Sequence, residues 1–377
     1  MSAWPGKTVI GLTGNIATGK SVIRKMLEHM GAYGIDADAL GHRAIARDAP
    51  GYQLVLNTFG RWILAADGQI DRTKLARIVF TDPEALARLE AIVHPLVSQA
   101  IDLLVRRSRH KVIVIEAIKL LESGLAAKCD QVWVAHASPK VQLARLMQKR
   151  GMNEAAARQR IAAQPPQEQK IAAADVVIRN DGSFDETWEQ VVAAWRRLFP
   201  GEEDAAAVQE WAAVGELSVQ RAVPRQAEEI AAFINSVGNH DPRLSREDVM
   251  AAFGEKAFLL LKADEKLVGL AGWQVENLVS RASDIYLAPD IPPARAFRAL
   301  MEEIERAARL LQCEIALVFL LPSQAQRQDI WRSLGYQPRT IQSLGVRVWQ
   351  EAAMESMKAG TIMYFKQLRK DLVLRPV

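Results

Sequence analysis

Cysteine is almost missing from this chain: there are two in 377 residues, Cys129 and Cys313, far apart. That excludes a disulfide framework and any CxxC zinc pattern, and it sets the expectation of a reducing, cytoplasmic setting. No apolar run is long enough to span a bilayer, and the opening Met1-Ser2-Ala3-Trp4-Pro5-Gly6-Lys7 has no apolar leader core, so no membrane partner is expected. A dense Lys/Arg block is missing too. With a formal net charge of only +4, the chain suits a phosphorylated small molecule, and nucleic acid is not expected as a partner. Internal repeats and low-complexity tracts are absent. What the chain has is length: 377 residues, 49% apolar and 24% charged, are too many for one ordinary core and read as two globular domains.

Residues 8–12, Thr-Val-Ile-Gly-Leu, read as a short buried strand, followed by a glycine-punctuated loop from Thr13 to Gly19 and a helix from Lys20. Further strands are expected near 32–36, 112–115, 131–134 and 175–178, each separated from the next by helical pattern. This alternation predicts an α/β domain with a parallel sheet and helices on both faces. Two stretches are too long for plain crossovers. Residues 40–107 read as a mostly helical insertion, and residues 140–173, with Arg145, Lys149, Arg150, Arg158 and Arg160, as a mobile lid. The expected division is a first domain at 1–200, a polar, Ala-rich linker at 201–215 and an α+β domain at 216–377. Every motif with assigned chemistry precedes residue 200, so residues 1–200 are expected to keep their activity when expressed alone.

The loop itself reads Gly14-Asn15-Ile16-Ala17-Thr18-Gly19-Lys20-Ser21, an ungapped match to G-x-x-x-x-G-K-[ST] between a predicted strand and a predicted helix. Successive backbone N–H groups must point at phosphate oxygens there, and bulky side chains would block the approach. Lys20 would reach the β- and γ-phosphates of ATP, and Ser21 would hold Mg²⁺. Alone, this loop identifies a phosphate-binding site and no particular reaction.

The rest of the first domain resembles the dephospho-CoA kinase family over about residues 8–198. Gly11-Leu12-Thr13-Gly14 opens the loop as in that family, and Asp36-Ala37-Asp38 stands where it carries D-A-D. Asp67-Gly68-Gln69-Ile70-Asp71-Arg72, followed by Leu75 and Phe80, matches D-G-x-[IL]-[DN]-R, and Leu89-Glu90-Ala91-Ile92-Val93-His94-Pro95 matches L-E-x-I-x-H-P. Arg145, Arg150 and Ile161-Ala162-Ala163-Gln164 resemble its lid. The run from Ala174 to Ser183 matches A-D-x-V-I-x-N-x-G-[ST], whose Asn180 and Gly182 would flank the adenine. The resemblance implies transfer of phosphate from ATP to the ribose 3′-hydroxyl of dephospho-CoA, the last step of coenzyme A synthesis. In that reading Asp38 takes the hydroxyl proton, Lys20, Arg145 and Arg150 stabilise the transferring group, and Asp36, His94, Glu116 and Lys119 line the acceptor side. Ser21 and Glu116 would serve the metal. Blander readings stand beside these: Asp36 and Asp38 as helix caps, His94 as a structural histidine, the lid arginines as a solvated face.

The chain also departs from the family pattern. Asn15 and Ala17 replace glycines of G-G-I-G-S-G, and the tolerance of Asn for positive φ predicts that Asn15 keeps the loop's shape. Glu116 replaces Asp at the end of the third strand, and Ile118-Lys119 replace Pro-Leu, bringing a new charge toward the acceptor.

Residues of about 216–370 resemble the GNAT acetyltransferase fold more faintly, through Leu217–Ala222, Leu267–Trp273 and Trp331-Arg332-Ser333-Leu334-Gly335-Tyr336. Its pyrophosphate-binding [QR]-x-x-G-x-[GA] loop is replaced by Leu287-Ala288-Pro289-Asp290-Ile291-Pro292-Pro293, whose prolines lack N–H donors. The expectation is a degenerate domain that is structural or senses CoA or acetyl-CoA; Glu276 and Tyr336 are catalytic candidates only if it transfers acyl groups. The reading of the whole is an ATP-dependent dephospho-CoA kinase fused to a GNAT-like domain. Its rivals are another P-loop small-molecule kinase, a non-catalytic nucleotide or CoA sensor, and a bifunctional kinase–N-acetyltransferase.

Overall fold

A computed structural model describes residues 3–79, 81–200, 210–214, 217–238 and 242–369. Phe80 and residues 201–209 of the expected linker lie outside these, as do the side chains of Lys149 and Arg150. Among the described residues, no helix is long and apolar enough to cross a membrane.

The first half runs β1 (Thr8–Thr13), α1 (Lys20–His29), β2 (Tyr33–Asp36), α2 (Ala37–Ala44), α3 (Pro50–Phe59), α4 (Arg72–Val79), α5 (Pro83–Arg107), β3 (Val112–Glu116), β4 (Gln131–His136), α6 (Pro139–Arg150), α7 (Glu154–Ala162), α8 (Gln167–Ala172), β5 (Val176–Arg179) and α9 (Phe184–Leu198). Its five strands are all parallel, in the order β2-β3-β1-β4-β5. β3, Val-Ile-Val-Ile-Glu, is buried throughout because helices cover both faces of the sheet, which is why the strands read as continuous apolar runs. β1 is central, and the loop after it opens at the strands' carboxyl ends, where parallel sheets bind ligands. The insertion is helical, as its pattern predicts. α2 to α5 surround a separate core of Ile45, Val55, Leu56, Ile63, Ile70 and Leu75.

The second half runs β6 (Glu210–Val214), β7 (Leu217–Arg221), α10 (Ala227–Val237), α11 (Arg246–Phe253), β8 (Ala257–Ala263), β9 (Lys266–Glu276), β10 (Val279–Leu287), α12 (Pro293–Leu310), β11 (Ile315–Leu320), α13 (Pro322–Ala325), α14 (Gln328–Ser333), β12 (Gln337–Pro338), α15 (Arg347–Ser356) and β13 (Ile362–Gln367). The eight strands lie in the order β12-β13-β11-β10-β9-β8-β7-β6. Neighbours are antiparallel except β10 and β11, which pair in parallel over Val279–Ala282 and are joined through α12. α12 buries Ala296, Phe297, Leu300, Met301, Ile304, Ala307 and Ala308, a stripe of helical period that seals one face. This is the GNAT-like architecture that the resemblance implied. Four elements were not anticipated: strand β6, within the stretch expected to be linker, strand β10, the short strand β12 and helix α15.

The halves share a buried seam. The β9–β10 turn places Asn277 at φ 52° and Leu278 at φ 62°. Such a turn favours Asn-Gly, and a leucine there is strained. The strain is offset because Leu278 is buried in a core cluster with Tyr33, Ile35 and Ile101 of the first half. Around this plug, Lys25 donates to the Val275 carbonyl at 2.8 Å, Arg43 to the Asn277 carbonyl at 2.7 Å, and Tyr33 to the Leu311 carbonyl at 3.3 Å. Arg43 also pairs with Glu314, and both are buried. His29 donates through Nε2 to the Phe253 carbonyl at 2.8 Å and receives Arg221 at Nδ1. Burial, with Arg221 beside it, pushes the His29 pKa down to about 3, so the ring stays neutral in the seam.

This seam weighs against the expectation that residues 1–200 stand alone. Removing the second half would expose the Tyr33–Ile101 face that Leu278 covers. Loss of one fully buried leucine typically costs about 2–5 kcal/mol. The fragment 1–200 is therefore expected to melt well below the full chain by circular dichroism; equal melting temperatures would show that the seam contributes nothing.

Candidate active site

The carboxyl ends of the first sheet bring the site together. Strand register sets Leu12 and Asp36 each opposite Glu116, so the end of β1, the end of β2 and the end of β3 meet on one edge. The phosphate loop leaves β1 with Gly14 at φ 147° and Gly19 at φ 90°. A Cβ on Gly14 would lie 2.3 Å from the Ala135 carbonyl, and one on Gly19 would lie 1.9 Å from Asn180 Nδ2. Both positions therefore need glycine. The positive φ among the substituted positions falls on Ala17, at 58°, and not on Asn15 as its residue type suggested. Asn15 contributes a hydrogen bond instead: its Nδ2 donates to the Pro165 carbonyl at 2.8 Å, tying the loop to the lid.

Lys20 is buried and donates to the carbonyls of Gly14 at 2.9 Å and Asn15 at 3.1 Å. Burial lowers its pKa, with Glu116 and Asp38 pulling the other way. Ser21 Oγ donates to Glu116 Oε1 at 2.9 Å, and the other Glu116 oxygen accepts from Arg24 Nε at 2.7 Å. Asp36 caps α2 by accepting from the Ala39 N–H at 2.8 Å. Burial and the neighbouring Glu116 push its carboxyl up to about 6. Asp38 does not cap the helix. It sits in the first turn of α2 and accepts from the Ile118 N–H at 3.0 Å. Burial raises its pKa, while Ile118, Lys20 and Lys170 act in the opposite sense.

The lid is folded onto the loop. Gln164 Oε1 accepts from the Ile16 N–H at 2.8 Å, using a donor of the kind that otherwise faces a phosphate oxygen. Arg145 donates to the Ala17 carbonyl at 3.2 Å and to Asn180 at 2.9 and 3.2 Å. Burial lowers its pKa, with Asp181 opposing. Asn180, at the end of β5, in turn donates to the Thr18 carbonyl at 3.0 Å. Thus Arg145 and Asn180 clamp the loop from the side opposite Asp38. Gly182 has a local reason to be glycine: a Cβ would meet the Glu186 carboxylate, which completes a capping box with Ser183.

Two expected residues lie off this cluster. His94 is half-buried on α5, one turn beyond Glu90. Lys119 pairs with that Glu90, so the new charge ties the loop after β3 to the insertion. Arg150 ends α6, its side chain outside the described set. Three residues near the centre had not been singled out as site residues. Lys170 on α8 is buried, donates to the Ile118 carbonyl and lies near Asp38. The others are Arg24 and Gln164. Gln164 was visible as part of the lid motif, whereas Lys170 and Arg24 sit on ordinary helical pattern with no local signal.

Comparison with known proteins agrees with this geometry. The dephospho-CoA kinase family model matches residues 8–186. The dephospho-CoA kinase of Geobacter metallireducens is 44% identical over 191 residues, covering 50% of this chain and 95% of that protein. The one from Streptomyces avermitilis is 44% identical over 190 residues, covering 50% and 93%. Among solved structures, TT1252 from Thermus thermophilus aligns with a TM-score of 0.48 at 31% identity, over 52% of this chain and 99% of its own. The putative acetyltransferase yncA from Salmonella typhimurium, solved with acetyl-CoA, aligns with a TM-score of 0.32 at 13% identity, over 42% and 96%. Since the first half spans nearly the full length of curated kinases at this identity, the chain belongs to the dephospho-CoA kinase family.

Proposed function

We propose that this chain transfers the γ-phosphoryl group of ATP to the ribose 3′-hydroxyl of dephospho-CoA, giving ADP and coenzyme A. The observation that carries the reading is the meeting of a complete phosphate loop with Asp38, a carboxylate held by the Ile118 N–H beside Lys20 and Lys170. Asp38 takes the hydroxyl proton as the oxygen attacks the γ-phosphorus and the bond to the β-phosphate oxygen breaks. Its raised pKa makes it a better proton acceptor than an ordinary aspartate carboxylate. Lys20, Arg145 and Lys170 bring positive charge to the transferring group, and Arg150 follows Arg145 on the same lid helix. For the phosphates to bind, Ile16 must release Gln164 and Lys20 must release the loop carbonyls. Asn180 flanks the adenine, and Asp36, His94, Glu116 and Lys119 border the acceptor.

Among the described residues, no cluster of three His, Cys, Asp or Glu side chains could hold a metal by itself. A hydroxyl and a carboxylate in contact, Ser21 and Glu116, suit Mg²⁺, which keeps most of its water and takes only one or two protein oxygens. When bound, the ion neutralises charge on the β- and γ-phosphates. The reading sets the enzyme in the cytoplasm, and Cys129 and Cys313 are both free thiols.

The second half, in this reading, is not an acyltransferase. Pro292 and Pro293 occupy the N-cap and first position of α12, where backbone donors would be needed. Beyond Ala282, where the parallel pairing of β10 and β11 ends, Gln324 Nε2 donates to the Ile285 carbonyl at 2.8 Å and fills the gap. Tyr336 is fully buried, edge-on to Trp331, and Glu276 is paired with Arg281. Arg298 pairs with Glu302 on the exposed face of α12, leaving Arg295 as the cation nearest that helix start for any CoA or acetyl-CoA.

Lys20→Ala is expected to abolish turnover of Mg-ATP and dephospho-CoA while leaving the circular dichroism spectrum unchanged; unimpaired turnover would remove the loop from the mechanism. For Asp38→Asn, kcat is expected to fall by a factor of about 10²–10⁴ with a far smaller change in KM for ATP. Normal kcat would return Asp38 to a structural role. Radiolabelled acetyl-CoA and a panel of amines should give no acetylated product with the full chain, and robust acetylation of any amine would make it bifunctional.

A further inference from the structure

Arg24 lies on α1, four residues after Lys20, with its guanidinium buried. Three carboxylates surround it. Nε donates to Glu116 at 2.7 Å and Nη1 donates to Glu28 at 2.7 Å, both within the first half. Nη2 faces Glu276 Oε1 at 3.6 Å, and Glu276 ends β9 in the second half. Glu276 accepts from Arg281 Nη2 at 2.7 Å. Arg281 is itself buried and anchored on α15, by the Ala352 carbonyl at 3.2 Å and Glu355 at 3.0 Å. Alternating charges thus run from the Ser21 hydroxyl through Glu116, Arg24, Glu276 and Arg281 to Glu355.

We propose that Glu276 is a positioning residue for phosphoryl transfer: through it, the second half holds Arg24 in the orientation that presents Glu116 to Ser21. The inference rests on the kinase reading above. A guanidinium is a planar fork, so fixing one edge fixes the direction of the others. The Nη2 of Arg24 is buried and has no hydrogen-bond partner, and Glu276 is the carboxylate that faces it. Without that charge, Glu28 and Glu116 compete for one cation, and the fork is free to turn toward Glu28. Burial works against the charge on Arg24, but Glu28, Glu116, Asp36 and Glu276 together raise its pKa above the ordinary value. Burial likewise works against ionisation of Glu276, and Arg24, Lys25 and Arg281 hold its carboxyl below the ordinary value. The surroundings thus favour the charged form of both partners. The Arg43–Glu314 pair also joins the halves, and it touches neither Ser21 nor Glu116. Adhesion of the halves therefore does not require the Arg24–Glu276 contact.

The test is steady-state kinetics of the full chain with Mg-ATP and dephospho-CoA, alongside melting temperatures, for wild type, Glu276→Gln, Glu276→Asp, Arg24→Gln and the double variant Arg24→Gln/Glu276→Gln. Glu276→Gln is expected to lower kcat about tenfold, within the range for residues coupled in one charge network, with little change in KM or melting temperature. Glu276→Asp, which keeps the charge, should recover part of that loss. In the Arg24→Gln background, Glu276→Gln should cost nothing further, because the carboxylate acts only through the guanidinium. Wild-type kcat in Glu276→Gln, or equal losses in both backgrounds, would overturn the inference. Should Arg24→Gln fail to fold, the aspartate variant decides: kcat no better than that of Glu276→Gln would overturn it. An inactive wild type would overturn the kinase reading itself, which an active wild type beside an unimpaired Glu276→Gln leaves standing.

Discussion

Asp36, half-buried, and Glu116, buried, stand opposite one another at the carboxyl edge of the first sheet, and like charges this close repel. The Asp36 carboxyl, pushed up to about 6, records that repulsion together with its burial, and Arg24 is the first group to act against it. Much of the site depends on this arrangement. Glu116 can hold the Ser21 hydroxyl only because its second oxygen is satisfied by Arg24. Asp38 makes its own contact, accepting from the Ile118 N–H at 3.0 Å. On the far side of the loop, Arg145 and Asn180 supply the counter-hold, so the phosphate loop is gripped from both flanks.

The second half meets this centre through the β9–β10 hairpin. Fold does not carry function, and here prolines stand at the start of α12 while Gln324 donates to the Ile285 carbonyl beside it in the fold. The hairpin tip does other work. Leu278 accepts a strained backbone to complete a first-half core, and two residues away Glu276 reaches Arg24. Glu276, a candidate for acyl transfer only if the second half transferred acyl groups, is placed by the tertiary structure 3.6 Å from Arg24.

Much of the first half was legible because its signals are local. A strand, a glycine loop and a helix occupy fourteen consecutive residues, Thr8 to Ser21, and their spacing alone dictates where backbone donors point. The continuous apolar strands and the long helical insertion follow from periodicity in the same way. In the second half β7, β8, β9, β11, β13 and α12 were readable for the same reason, while β6, β10, β12 and α15 were not.

What the sequence determined by itself was therefore the phosphate loop, the parallel sheet and the family to which they belong, since each rests on residues adjacent in the chain. The tertiary structure alone decided the rest. It put the positive φ on Ala17 and turned Asn15 to the lid, because loop geometry is set by what packs around it. It brought Lys170 to Asp38 across 132 residues, a separation that follows from their numbers. It joined Arg24 to Glu276 across 252, again by their numbers, a pairing of opposite charges that no local pattern encodes. Hydrogen bonds and ion pairs act over a few ångströms of space, and only the folded chain determines which distant residues come that close.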